Sequence, residues 1–135
     1  MSVIDTDRVA VIADALFAAI ERGDRAQVAA LFGPDVAVRK TGDDRDNGHG
    51  RSVRIIGWFI DATLDRRYEV LDRQFFPGGF VQQHVLHFTA LSGEEIAMRV
   101  CIVIKIGDDG LITRIDEYFD PADMAPLLSP RPDPA

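Results

Sequence analysis

Residues 110–121 read GLITRIDEYFDP, and the alternation inside this stretch decides how the chain is organised. A turn of Gly107, Asp108, Asp109 and Gly110 precedes it, and Pro121, which has no N–H to give a sheet ladder, ends it, so it is expected to be one strand. Side chains alternate across a strand. Leu111, Thr113, Ile115, Glu117 and Phe119 are therefore assigned to one face and Ile112, Arg114, Asp116 and Tyr118 to the other, the first face being the buried one. Glu117 thus falls between Ile115 and Phe119. A carboxylate in such company must find a partner or hold a proton, which is how a carboxyl pKa is raised into a useful range, and Glu117 is the lead catalytic candidate. The alternative is a strand-end glutamate paired with an arginine or turned to water.

Working backward, residues 95–106 alternate in the same way. Ile96, Met98, Val100, Ile102, Ile104 and Ile106 form an unbroken apolar face opposite Ala97, Arg99, Cys101, Val103 and Lys105. A turn at residues 91–94 separates this strand from one at 80–90, and Pro77-Gly78-Gly79 joins that to a strand at 68–76, giving a hairpin. With the 110–121 strand, four antiparallel strands in a meander are expected. At the start of the chain, Asp5 and Thr6 cap a helix whose apolar residues Val9, Ile12, Ala13, Leu16, Phe17 and Ile20 keep helical spacing, and Gly23 ends it. Asp24 caps a shorter helix carrying Val28, Leu31 and Phe32, closed by Gly33-Pro34, and residues 36–40 read as a short strand. Residues 41–50, TGDDRDNGHG, contain nothing apolar and are expected to be a mobile surface loop; their aspartates lack the spacing and distal glutamate of an EF-hand, so no metal is assigned. Residues 52–65 should form a third, well-buried helix, with Gly57 marking a close approach of another element. The order of helices then strands predicts an α+β fold in which helices cover one face of a curved antiparallel sheet, enclosing a pocket. Residues 1–135 read as one domain; a helical turn is expected over Ala122 to Leu128, and residues 126–135, which finish as SPRPDPA, are assigned to a proline-rich tail that does not fold by itself.

Totals narrow the partners. Fifteen basic and twenty-two acidic residues leave a net charge of −7, which argues against nucleic acid or anionic membrane as a partner. The single cysteine, Cys101, permits no internal disulfide. No apolar stretch approaches the ~20 residues that span a bilayer, and MSVIDTDR lacks the features of a leader, so a cytoplasmic protein is expected.

The order of elements, the opening ALFAAIERGDRAQVAALFGPDV and the ending GLITRIDEYFDP resemble the nuclear transport factor 2-like superfamily, in particular its SnoaL-like branch, which also includes proteins similar to polyketide cyclases, ketosteroid isomerases and limonene-type epoxide hydrolases. The resemblance covers roughly residues 6–125 and implies the cone-shaped NTF2-like (cystatin-like) fold. It places the family's acidic position of the last strand on Glu117. The epoxide hydrolases' arginine and aspartate match His84 and Leu86, and their tyrosine and asparagine match Val38 and Lys40, so an epoxide hydrolase of that type is not expected. The implied pocket holds Glu117 and His84 as catalytic candidates, with Gln82, Lys40, Trp58, Phe80, Leu86, Met98, Val100, Ile115 and Phe119 as substrate-binding candidates. A Glu117–His84 hydrogen bond would make one the base and the other its orienting partner. The opposite phase of the hairpin strand turns His87 and Gln83 inward instead; the resemblance favours His84. The expected function is cofactor-independent acid/base chemistry, an isomerisation, cyclisation or dehydration of a hydrophobic carbonyl-bearing molecule, with Gln82 and Lys40 polarising an oxygen; the rival is a non-catalytic ligand-binding or assembly module on the same fold. A homodimer is expected through the outer sheet face, where Arg99, Cys101, Val103, Arg114, Asp116 and Tyr118 should lie, with Arg114 and Asp116 pairing across a two-fold axis.

Overall fold

Helix α1 runs from Thr6–Arg22 because both ends are chemically marked. The Asp5 carboxylate accepts the Arg8 backbone N–H at 2.9 Å, and Gly23, at φ 75°, takes the left-handed conformation that ends a helix. Its apolar stripe, Val9 to Ile20, is buried. Asp24 caps the short helix α2, Arg25–Leu31, by accepting from Gln27 N–H at 3.0 Å. The computed structural model describes residues 3–128.

Gly33-Pro34 does not separate this helix from the next strand as the sequence suggests. Strand β1 begins at once, as Phe32–Lys40, and carries both residues in an irregular first half that pairs Phe32 with Ile112 and resumes at Ala37 with Arg114. Gly33 is there because a Cβ would lie 3.2 Å from the Ile112 carbonyl oxygen. Helix α3 spans His49–Asp61, earlier than the expected 52–65. It ends where Thr63 Oγ1 donates to the Phe59 carbonyl at 2.9 Å and the chain turns into β2, Thr63–Phe76. This helix is also less buried than expected: only Ser52 and Gly57 are fully covered, and Trp58 is 42% exposed. Gly57 does mark a close approach, since a Cβ there would stand 3.0 Å from the Arg25 guanidinium.

Strands β3, Gly79–Ala90, β4, Glu95–Ile106, and β5, Ile112–Phe119, complete a five-stranded sheet in the order β1-β5-β4-β3-β2. Strands β2 to β5 form the expected antiparallel meander; β1 adds a fifth strand, parallel to β5. Along β3 the even positions Phe80, Gln82, His84, Leu86 and Phe88 are buried and the odd ones, His87 among them, face outward. Strand β5 corrects the alternation assumed for it. The ladder pairs Lys105 with Arg114 and then Ile106 with Ile112, leaving Thr113 as an extra residue. Because of that bulge both Ile112 and Ile115 enter the core while Thr113 is exposed, and Glu117 and Phe119 keep the inner face.

The loop after β1 is not wholly at the surface. Asn47 is 5% exposed and bridges Val38, with backbone bonds of 2.9 and 2.8 Å, because its side chain finds partners in the Val38 carbonyl and Asp43. After β5, Asp120 caps a 3₁₀ turn, Pro121–Met124, which leads into helix α4, Ala125–Leu128. The helical turn expected over residues 122–128 is thus present, and Met124 and Leu127 pack against the core, so residues 126–128, also counted with the unfolded tail, are folded; residues 129–135 lie outside the described part. No helix among the described residues is long and apolar enough to cross a membrane.

Candidate functional site

The helices and the inner face of the sheet enclose a cavity of about 150 Å³. Seven of the residues expected from sequence line it: Lys40, Trp58, Leu86, Met98, Ile115, Glu117 and Phe119. Four others do not. Phe80, Gln82, His84 and Val100 point inward but are sealed from the cavity, none more than 2% exposed. The reason is packing: the rings of Phe17 and Tyr68, which do line the cavity, stand against the His84 imidazole with centroids at 5.6 and 5.0 Å. The Glu117–His84 hydrogen bond drawn from the sequence is not formed.

Glu117 sits between Lys40 of β1 and Ile102 of β4 in the ladders. Its backbone is held firmly: Thr41 N–H donates to the Glu117 carbonyl at 2.9 Å, and Thr41 Oγ1 accepts from Phe119 N–H at 3.1 Å. The carboxyl group, by contrast, has no hydrogen-bond partner among the described residues and opens to the cavity. Burial among apolar side chains pushes its pKa up to about 7; the Lys40 ammonium opposes this and Asp43 reinforces it. Lys40 does not relieve the carboxylate directly, because both oxygens of Asp43 hold its Nζ, at 3.0 and 3.2 Å.

Tyr68 is the functional candidate that sequence reasoning missed. In β2 it pairs with Leu86, which brings its ring to the cavity wall. Its hydroxyl has no partner among the described residues, and burial, followed by the nearby Glu117 and Glu21 carboxylates, holds the phenol well above its ordinary pKa, so it stays a donor at every physiological pH. An inward aromatic with a polar tip was the available sign, but only the strand register reveals that it shares a chamber with Glu117.

His84 belongs to a separate, closed relay. Arg73 reaches out to Asp14 at 2.9 Å and in to Gln82 Oε1 at 2.7 Å, its guanidinium lying 5.5 Å from the centre of the Phe80 ring. Arginine can only donate, so the Gln82 oxygen accepts, and its Nε2 must donate to His84 Nδ1 at 2.9 Å. The imidazole is thereby fixed with its proton on Nε2, which is sealed from the cavity and lacks a partner among the described residues, whereas the unpartnered groups of Glu117 and Tyr68 border the cavity. Burial, with Arg73 adding to it, lowers the His84 pKa to about 4, so the ring is neutral near pH 7. No three His, Cys, Asp or Glu side chains converge as a metal site among the described residues.

No curated protein matches the chain in sequence. Solved structures share its fold. An LEH-like epoxide hydrolase from M. tuberculosis superposes with a TM-score of 0.74 at 22% identity, over 91% of both chains. A candidate SnoaL-like polyketide cyclase from Shewanella denitrificans OS-217 gives 0.77 at 13% identity, over 92% of this chain and 98% of its own. An NTF2-like protein of unknown function from Burkholderia pseudomallei gives 0.77 at 18%, over 91% and 98%. These likenesses establish the NTF2-like α+β fold. The family model for the SnoaL-like domain matches residues 13–115, most of the chain, and the protein belongs to the SnoaL-like domain family.

Proposed function

We propose that the protein catalyses proton transfer on a hydrophobic, carbonyl-bearing small molecule, in an isomerisation, cyclisation or dehydration that needs no cofactor. One observation carries the reading: Glu117 presents an unpartnered carboxyl group, with a pKa raised to about 7, to an apolar cavity. Such a group is part carboxylate and part acid near neutrality, so it can take a proton and return it. The carboxylate removes the proton α to the carbonyl, and the electron pair moves to the carbonyl oxygen as the enolate forms. Tyr68 O–H, on the same cavity, donates to that oxygen, and Glu117 then returns the proton to a different carbon. Tyr68 takes the polarising role first considered for Gln82, which is sealed away; Lys40 retains an N–H for the same oxygen beside its pair with Asp43.

Deuterium exchange tests this without knowledge of the substrate. In D₂O the protein should speed exchange of the α hydrogens of cyclohexanone, and Glu117→Gln should remove that acceleration. Exchange equal in both proteins, or none above buffer across a panel of hydrophobic ketones, favours the rival reading, a pocket that binds without chemistry.

We also propose that two copies pair through the outer sheet face. Tyr118 is 58% exposed there, beside half-buried Cys101 and Val103. Arg114 and Asp116 pair with each other at 2.9 Å, and Arg114 also holds Asp46, so these charges are satisfied within one chain and Tyr118 becomes the central contact. Sedimentation at micromolar concentration should show a dimer that Tyr118→Asp dissociates; a monomer in the unsubstituted protein sinks the idea.

A further inference from the structure

We propose that Asp43 is a positioning residue for the Glu117 carboxyl group: it holds the Lys40 ammonium out of the ion pair that the strand register would otherwise impose. The inference rests on the acid/base reading of Glu117 for its purpose, but not for its geometry.

Lys40 and Glu117 are direct partners in the parallel ladder between β1 and β5, and both side chains line the cavity. Adjacent strands lie ~4.8 Å apart, so a lysine and a glutamate so placed are well within reach of a salt bridge. None exists: Lys40 Nζ is bound instead by Asp43, three residues on, and Glu117 has no partner among the described residues. Asp43 is itself built into position. Its Oδ2 accepts from the Lys40 backbone N–H at 3.0 Å and from Asn47 Nδ2 at 2.9 Å, while buried Asn47 is tied to Val38. The aspartate-rich segment that looked like a free surface loop is thus a knot that binds one cation from both ends of the same residue.

The charged and titratable groups around Glu117 are few. Lys40 comes from β1, Asp43 from the loop and Tyr68 from β2, while α1, α3, β3, β4 and the 3₁₀ turn bring only uncharged side chains to the cavity. With Asp43 in place its charge opposes the cation's field at Glu117, and apolar burial keeps the carboxyl near neutrality. Without it, the freed ammonium would turn to the Glu117 carboxylate, its partner in the ladder, and hold it ionised, leaving a base too weak to take a proton from carbon.

The Glu117 titration, followed by its side-chain carboxyl ¹³C resonance, tests this apart from any activity. Asp43→Asn should move the midpoint down by about one pH unit or more, the effect of an opposite charge at close range. Lys40→Met should move it up, and Asp43→Asn added to Lys40→Met should lower it by much less than in the Lys40 protein. An unchanged midpoint in Asp43→Asn, or an equal fall with and without Lys40, overturns the proposal, the second because Asp43 would then act by its own charge alone. Should Asp43→Asn not fold, Asp43→Ser retains an oxygen for the Lys40 backbone N–H and carries the same test. A shifted midpoint in a protein that exchanges no ketone hydrogens supports Asp43 and sinks the proposed function, so the two fail separately.

Discussion

Two polar clusters face inward from the same sheet, and burial treats them in opposite ways. The Arg73–Gln82–His84 relay is closed by hydrogen bonds from the exposed Asp14 inward, and its histidine is locked neutral in one tautomer. The Glu117 corner has its backbone fastened by Thr41 but its carboxyl group left open beside Tyr68, with the nearest cation diverted to Asp43. A polar group held by its neighbours and sealed from the cavity is structural, however catalytic its side chain; one that borders a cavity unpaired can titrate. Of the two candidate bases, the histidine is thus the fixed element, and the glutamate is the one on which the proposed function rests.

Breaking the open cluster should have the largest effect. Glu117→Gln keeps the shape and removes the proton acceptor, and turnover should fall by about 10²–10⁴, the usual contribution of one general base, in a protein that still folds. Measured exchange rates that stay within a few-fold of the parent would make the carboxylate structural. Tyr68→Phe comes next: loss of one preorganised donor to the developing oxyanion costs about 10² in rate. Its effect should be confined to turnover, and a purely thermal effect would return Tyr68 to the core.

The closed cluster should respond in stability instead. Arg73→Met leaves the buried Gln82 oxygen without its donor, worth about 1–3 kcal/mol in denaturant unfolding. It also frees the amide to rotate, so the His84 imidazole ¹⁵N spectrum should change from a single tautomer to a mixture; an unaltered spectrum would mean that the relay does not set the proton's position.

The smallest effects sharpen the comparison most. Between about pH 4.5 and 7 folded Glu117 keeps a proton that the unfolded chain releases, so its contribution to stability falls as pH rises. Between about pH 4 and 6.5 the unfolded chain protonates His84 while the folded protein resists, so stability rises with pH. The two slopes oppose each other over most of that range. Glu117→Gln should expose the rising slope and His84→Leu the falling one; variants whose unfolding free energies track the parent at every pH would show that neither group is perturbed by folding.

Much of this was legible in residues alone, and for local reasons. Asp5, Gly23 and Asp24 mark helix ends because capping is decided within four residues, and strand β4 coincides with residues 95–106 because its alternation is unbroken. Glu117 on the inner face of the last strand also follows from alternation, even though the bulge at Thr113 shifts the residues before it. What the sequence left open depends on contacts between distant segments. Two phases of the β3 strand were equally apolar, and only packing against Phe17 and Tyr68 turns His84 inward and then seals it away from Glu117. Tyr68 joins the cavity through its register with Leu86, Arg73 reaches Gln82 across a hairpin, and Lys40 meets Glu117 through a parallel pairing 77 residues apart in sequence. Short-range chemistry writes the elements into the chain, whereas the unpaired state of the Glu117 carboxyl in the cavity is settled by which partners the fold brings near and which it keeps occupied.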